Sequence, residues 1–216
     1  MKTVQGWYLP DSDTHFGPYL LELAQQGAPC EYQWPHRDCA VKHCSSFRGA
    51  IDVGAHVGLW SRPLACSFRK VYSFEPLQEF RTLLALNSPT SLIMPFALGD
   101  IETRVCMAMP ADNTGMAHVV PGSEETGEVE VRTLDSFSFD EIDLIKIDCE
   151  GYEYPIVMGA IETLKRNRPV VVIEQKPHGY FTEHWEQYSA LTFLTDRCQY
   201  RIVDRVVDDW ILVPSV

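Results

Sequence analysis

Two short runs constrain this chain more than anything else in it: Ala50-Ile-Asp-Val-Gly-Ala-His-Val-Gly58 and Val71-Tyr-Ser-Phe-Glu-Pro76. The first reads as a buried strand that enters a glycine-bearing turn. A helix over 59–68 follows, with Pro63 tolerated in its first turn. The second run is another buried strand, and it ends on an acid. Such an acid is placed to hold the two hydroxyls of a ribose. The turn from Gly54 to Gly58 lets the backbone come close to whatever lies over the first strand. Together the runs predict an open α/β sheet that binds a nucleoside-containing ligand.

The rest of the chain extends this alternation. A helix over 77–87 leads to a third strand over 92–97. Short strands over 103–109, 117–120 and 128–133, joined by the polar turns ADNTG and PGSEETG, read as a β-rich insertion. Residues 142–147 are apolar enough for a central parallel strand covered on both faces. A helix over 154–166, a buried strand over 169–173 and a helix over 181–196 follow. The last helix sets Trp185, Tyr188, Leu191 and Leu194 on one side. The terminal runs 200–207 and 210–213 suit an antiparallel pair at one side of the sheet. No repeat or linker interrupts residues 46–216, which read as one globular domain. Residues 1–45 read as a helical extension packed on it: PDSDTHF supplies capping residues, and Phe16, Tyr19, Leu20, Leu23 and Ala24 recur at helical spacing. GAPCEYQWPHRD is read as an irregular connector.

Composition narrows the function classes. Lys and Arg number 18 against 30 Asp and Glu, a net charge of −12, so the chain offers no general attraction to nucleic acid. Arg62, Arg69, Lys70 and Arg81 read as a solvated helix face rather than a binding patch. No apolar run approaches the roughly 20 residues that span a bilayer. MKTVQGWYLPDSDTHF lacks the apolar core of a secretory signal, so a cytoplasmic location without membrane contact is expected. The 7 cysteines, an odd number without a signal, argue for reduced thiols. His36, Cys39, His43 and Cys44 lie close in sequence, but their spacing fits no common zinc site.

Four segments carry polar residues to strand ends: Asp52-Val-Gly54, Glu75-Pro76, Asp148-Cys-Glu150 and Glu174-Gln-Lys176. One alone reads as a capped strand end; four after apolar strands point to a shared crevice. A dinucleotide requires its pyrophosphate against a helix N-terminus through G-x-G-x-x-G. Here G-A-H-V-G lacks the third glycine, and Asp52 stands before the turn. A carboxylate there repels a pyrophosphate and receives an ammonium. S-adenosylmethionine has an ammonium, a sulfonium and no phosphate, so charge favours it over NAD.

The chain resembles the FkbM family of class I S-adenosylmethionine-dependent methyltransferases, in the segments 51–58, Phe74-Glu-Pro76, Ala97-Leu-Gly-Asp100, Asn113-Thr-Gly115 and Thr133-Leu-Asp135. The resemblance continues through IDLIKIDCEGYE at 142–153, Gly159-Ala160 and 169–174. GAHVGLWS and EQKP are similar to small bacteriophage members, for which the location would be the host cytoplasm. The implied fold is Rossmann-like: a mostly parallel sheet with a terminal antiparallel strand pair and a β-rich insertion. The resemblance also implies that Asp52, Gly54, Ala55, His56 and Gly58 wrap the methionine end of the cofactor, followed by Leu59 and Trp60. Glu75 and Pro76 then lie at the ribose, Ala97 and Leu98 near the adenine, and Asp148 close to the sulfonium.

Methyl transfer needs alignment, worth roughly 7–11 kcal/mol, and for an alcohol a base worth about 10²–10⁴-fold. Asp148, Glu174 and Lys176 are the candidates for positioning or deprotonating the acceptor, with Glu150, Glu153 and His178 behind them. Asp148, Glu150 and Glu174 also suit magnesium, although the resemblance requires no metal and none is expected. The predicted activity is O-methylation of a hydroxyl on a small molecule, sugar or glycan. An RNA ribose 2′-O-methyltransferase is the competing enzyme, since Lys42, Asp148, Lys176 and Glu174 resemble its Lys-Asp-Lys-Glu set in a different order. A non-catalytic cofactor-binding protein is the competing class. These residues carry no signal for an oligomeric state.

Overall fold

The computed structural model describes residues 1–110, 113–123, 127–176, 185–186 and 188–215. Seven strands form the central sheet: β1 (Gly49–Val53), β2 (Lys70–Phe74), β3 (Leu92–Met94), β4 (Leu144–Ile147), β5 (Val170–Glu174), β6 (Tyr200–Val206) and β7 (Asp209–Pro214). Their spatial order is β3-β2-β1-β4-β5-β7-β6. The first five run parallel, β7 is antiparallel to β5, and β6 is antiparallel to β7. This is the mostly parallel α/β sheet with a terminal antiparallel pair expected from the sequence. Only β7 is reversed, because β6 points the same way as the parallel strands. The chain travels outward from β1 to β3 and returns on the other side of β1 as β4. A crevice therefore opens beyond the carboxyl ends of β1 and β4.

Helices α1 (Phe16–Gln25), α2 (Trp34–Val41), α3 (Ser61–Ser67), α4 (Gln78–Asn87), α5 (Glu153–Met158), α6 (Ile161–Asn167) and α7 (Ser189–Asp196) surround the sheet. Strands β1, β4 and β5 read GAIDV, LIKI and VVVIE, and only Glu174 among these residues is not fully buried. Helices cover both of their faces, which is why the runs are apolar apart from Asp52, Lys146 and Glu174. On one face Ile145, Ile147, Val171 and Ile173 pack with Ile156, Leu164, Leu191 and Leu194. On the other, Ala50, Leu144, Val170 and Val172 pack with Ala40, Trp60, Leu64 and Phe68. Strand side chains alternate, so Asp52, Lys146 and Glu174 all fall on this second face, with Asp148 continuing the same alternation past β4.

Four expectations about elements are corrected. The third strand stops at Met94, before Pro95, which cannot donate to a ladder. Ala97 and Leu98 instead pair with Val131 and Arg132 in a three-stranded sheet of the insertion. The helix expected over 154–166 is two helices, α5 and α6. They divide at Gly159, where a Cβ would come 1.9 Å from the carbonyl oxygen of Gly99. Asp135 then accepts from the N–H groups of Glu162 and Thr163 at the start of α6. Helix α7 begins only at Ser189, because Tyr188 has a left-handed φ of 62°; residues 181–184 and 187 of the expected helix lie outside the described residues.

The fourth correction concerns the N-terminal segment, which is less irregular than expected and adds a hairpin and a second helix. Lys2–Val4 and Trp7–Leu9 form a hairpin, turning through Gln5 and Gly6 at positive φ. The expected connector contains α2, entered through Pro35 in its first turn. Asp13 caps α1 by accepting from the N–H groups of Phe16 and Gly17, each at 2.9 Å. Trp7, Leu9, Phe16 and Leu20 share a core with Val57, Leu59, Phe80 and Leu83. No helix among the described residues is long and apolar enough to cross a membrane.

Candidate active site

Lys146 organises the crevice. The register of β4 on β1 sets it beside Asp52. Its Nζ lies 3.6 Å from Asp52 Oδ1 and 3.5 Å from Asp148 Oδ2, and it donates to the Gly54 carbonyl at 3.2 Å. The side chains of Lys146 and Asp52 are 6% and 0% exposed. A lone ammonium so deep would be untenable, and its two carboxylates are what permit it. Burial alone would lower the lysine pKa; Asp148 and Asp52 outweigh it and hold the ammonium well above its ordinary value. Burial likewise works to raise Asp148, but Lys146 and then Lys176 keep its carboxyl below the usual range.

Two cavities meet over this hub, sharing Gly54, His56, Gly115, Asp148 and Glu150. Gly54 has a φ of +75°, and a Cβ there would come 2.0 Å from the Asp148 carbonyl oxygen. Only glycine lets the β1 turn pass over the end of β4.

The first cavity is mainly apolar, bounded by Phe74, Phe80, Phe96, Ala97, Leu98 and Ile156, with Glu75 and Pro76 alongside. The Glu75 carboxylate accepts from the N–H groups of His56 at 2.9 Å and Leu77 at 2.8 Å, and burial pushes its pKa up to about 7. Both ring nitrogens of His56 and the hydroxyl of Thr114 are buried without a hydrogen-bond partner among the described residues. The imidazole sits between Phe16 and Phe80, at centroid distances of 5.2 and 4.2 Å. Burial pushes its pKa down to about 3, so it is neutral at physiological pH. Buried polar groups normally find partners. Two such groups lining one cavity fit it for a ligand with polar edges.

The second cavity is a charged crevice. Lys176 Nζ lies 3.0 Å from Glu150 Oε2 and 2.7 Å from Glu174 Oε2. One carboxylate oxygen each of Asp148, Glu150 and Glu174 falls within 4.8 Å of the others. Burial, then the charge of Asp148, pushes Glu174 up to about 9 and also raises Glu150. Across the crevice stand His15, Phe16, Tyr32 and Trp60. Tyr32 packs edge-on against Phe16 and Tyr19, at 5.0 and 5.4 Å, and Trp60 donates to Gln33 Oε1 at 2.8 Å.

Most of the expected site residues meet here. Ala55, Leu59, Trp60, Glu174 and Lys176 line the crevice, Glu75, Pro76, Ala97 and Leu98 the apolar cavity, and Gly54, His56 and Asp148 both. Asp52 and Gly58 line neither. The ammonium that meets Asp52 is the protein's own Lys146, and its second oxygen accepts from Ser61 Oγ at 2.6 Å. Gly58 makes room for Leu84 of α4. Glu153 is buried and accepts from the N–H groups of Cys149 and Gly151. His178 lies outside the described residues.

Other sequence clusters disperse. Lys42 pairs with Asp204 of β6 at 2.9 Å, so a Lys-Asp-Lys-Glu set containing it is not assembled. Arg62 donates to the Gly6 carbonyl, Arg69 to Glu141 and Arg81 to Gln78. His36, Cys39 and Cys44 face Asp209, Asp204 and the Asp143 carbonyl separately. Sequence reasoning assigned no role to Lys146, Thr114, Phe16 or Tyr32. For Lys146 the signal was present: a charge inside the buried run LIKI requires a partner.

The fold recurs in solved structures. An FkbM methyltransferase from Methylobacillus flagellatus aligns over 77% of this chain at 19% identity with a TM-score of 0.50; this chain spans 43% of that protein's length. A TehB-like S-adenosylmethionine-dependent methyltransferase from Corynebacterium glutamicum aligns over 93% of this chain and 96% of its own, at 11% identity and a TM-score of 0.53. An rRNA methylase from Streptococcus thermophilus aligns over 84% and 95%, at 12% identity and 0.50. Such identities establish a shared Rossmann-like methyltransferase fold and leave the acceptor open. A search of curated proteins finds no match. The sequence itself is more specific than the fold: residues 52–202, which contain the Gly54–Gly58 turn, β4 and the Asp148 loop, match the methyltransferase FkbM domain, and the chain belongs to that family.

Proposed function

We propose that the chain is an S-adenosylmethionine-dependent O-methyltransferase acting on a hydroxyl of a small molecule, sugar or glycan. The observation that carries this reading is the junction of an apolar cavity with a charged crevice at Asp148. S-adenosylmethionine has the same division, an aromatic nucleoside joined through a sulfonium to a charged amino-acid chain, and it supplies an electrophilic methyl group to an in-line nucleophile. Glu75 would hold the ribose hydroxyls, Ala97 and Leu98 would flank the base, and Gly54, Ala55 and His56 would carry the methionine end. His56 and Thr114 offer unused polar atoms to the nucleoside. The crevice sets the carboxylates of Asp148, Glu150 and Glu174 against Lys146 and Lys176, with Asp52 buried behind Lys146. Its residual negative charge favours a cationic donor and disfavours a phosphate-bearing one.

At the acceptor, Asp148 orients the reacting hydroxyl and a Glu174 oxygen takes its proton. A carboxyl pushed up to about 9 is a stronger base than an ordinary glutamate and better matched to an alcohol. Phe16, Tyr32 and Trp60 keep bulk water from the crevice and offer ring faces to the acceptor. Transfer of labelled methyl from S-adenosylmethionine to pooled metabolites, glycans and RNA tests the assignment. Label in the small-molecule or glycan pool supports it. Label in RNA alone would replace it with the ribose methyltransferase reading, and cofactor binding without transfer to any pool would favour a non-catalytic role.

A further inference from the structure

We propose that Lys176 is the built-in cation of the acceptor crevice, occupying the position that a divalent metal would otherwise take among Asp148, Glu150 and Glu174. Oxygens from these three side chains converge within 4.8 Å of one another, a spacing that a hard cation could bridge. The Lys176 ammonium already lies 3.0 Å from Glu150 and 2.7 Å from Glu174. Those two carboxylates are each 12% exposed. They are too buried to stay charged side by side without a cation.

Electrostatics separate this arrangement from the neighbouring one. Lys146 sits beneath the Gly54 turn and pairs with Asp52 and Asp148, with only 6% of its side chain exposed. Lys176 is 36% exposed, enters from the chain beyond β5, and answers the remaining pair. Asp148 stands between the two ammoniums and feels both. The division gives the crevice an internal cation for each part: a sealed one under the strand ends and an accessible one at the acceptor. A tethered ammonium is present in every molecule, so acceptor orientation by this enzyme does not depend on divalent metal. The catalytic meaning of this inference rests on the methyltransferase reading; the occupancy of the carboxylates by Lys176 does not.

Manganese(II) titration of the folded protein, followed by electron paramagnetic resonance, provides the test. The wild type should bind manganese weakly. Lys176→Met should bind at least about tenfold more tightly, because the competing ammonium no longer occupies the site. Adding Glu174→Gln to Lys176→Met should erase the gain. Lys176→Arg, which retains the charge, should remain as weak as the wild type. Thermal melts establish that each variant is folded. Equal manganese affinity in the wild type and Lys176→Met would overturn the proposal, as would tighter binding by Lys176→Arg. A parallel titration with S-adenosylmethionine separates the two ideas: loss of donor binding by the wild type contradicts the methyltransferase reading, whereas the manganese result bears on Lys176 alone.

Discussion

The two cavities that meet at Asp148 differ in where their walls come from. The apolar cavity is lined throughout by residues of the FkbM-matching span, from Val53 to Ile156. The charged crevice takes its floor from that span, but His15, Phe16 and Tyr32 of its wall precede it. The nucleoside half of the donor is therefore assigned to the matched span alone, whereas the crevice assigned to the methionine end and the acceptor is completed by a segment outside that span. Donor chemistry can stay constant while the acceptor changes, because different parts of the sequence build the two walls.

Replacing Glu174 cuts most deeply between the sides. Glu174→Gln should lower turnover by about 10²–10⁴-fold through loss of a base, with donor affinity unchanged in a calorimetric titration. The pH dependence has a definite sign: Glu174 is pushed up to about 9, so its basic form and the turnover should grow as pH rises toward that value. The variant should flatten this rise. Equal losses of donor affinity and turnover would merge the two cavities into one functional unit.

Lys146→Met strikes the junction itself. It leaves Asp52 and Asp148 without their shared ammonium, and breaking a buried pair costs about 3–5 kcal/mol, measurable as a lower urea midpoint. A shift no larger than that of a surface substitution would show that Lys146 does not hold the strand ends together. Glu75→Ala should act on the donor side alone, weakening S-adenosylmethionine by about 10- to 100-fold, as expected for hydrogen bonds worth roughly 1.5–3 kcal/mol. The smallest effect belongs to the N-terminal wall. Tyr32→Ala should raise the acceptor KM by up to about tenfold, from roughly 0.5–1.5 kcal/mol of aromatic contact, and leave donor affinity unchanged.

The same contrast governs what was legible in the sequence. The buried central strands were, because VVVIE and GAIDV are largely apolar runs that suit a sheet covered on both faces. The convergence of Gly54, Glu75, Asp148 and Glu174 followed from their place at strand ends. The role of Asp52 did not follow, because its partner is fixed by cross-strand register: Lys146 stands beside it only once β4 lies against β1. The Tyr32 wall was hidden for a similar reason, since no local pattern states which surface an N-terminal segment will cover. The division of α5 from α6 depends on the close approach of Gly159 to Gly99, a contact 60 residues apart in sequence. Local periodicity carries the elements; pairing across the fold carries the chemistry.

Thermal unfolding with S-adenosylmethionine and, separately, with NAD asks whether the joined cavities bind the proposed methyl donor. At a ligand concentration 100 times its dissociation constant, S-adenosylmethionine should stabilise the protein by about 2.7 kcal/mol, and NAD at the same concentration should leave the transition unmoved. An unchanged transition at saturating S-adenosylmethionine, together with a shift in NAD, would contradict the account.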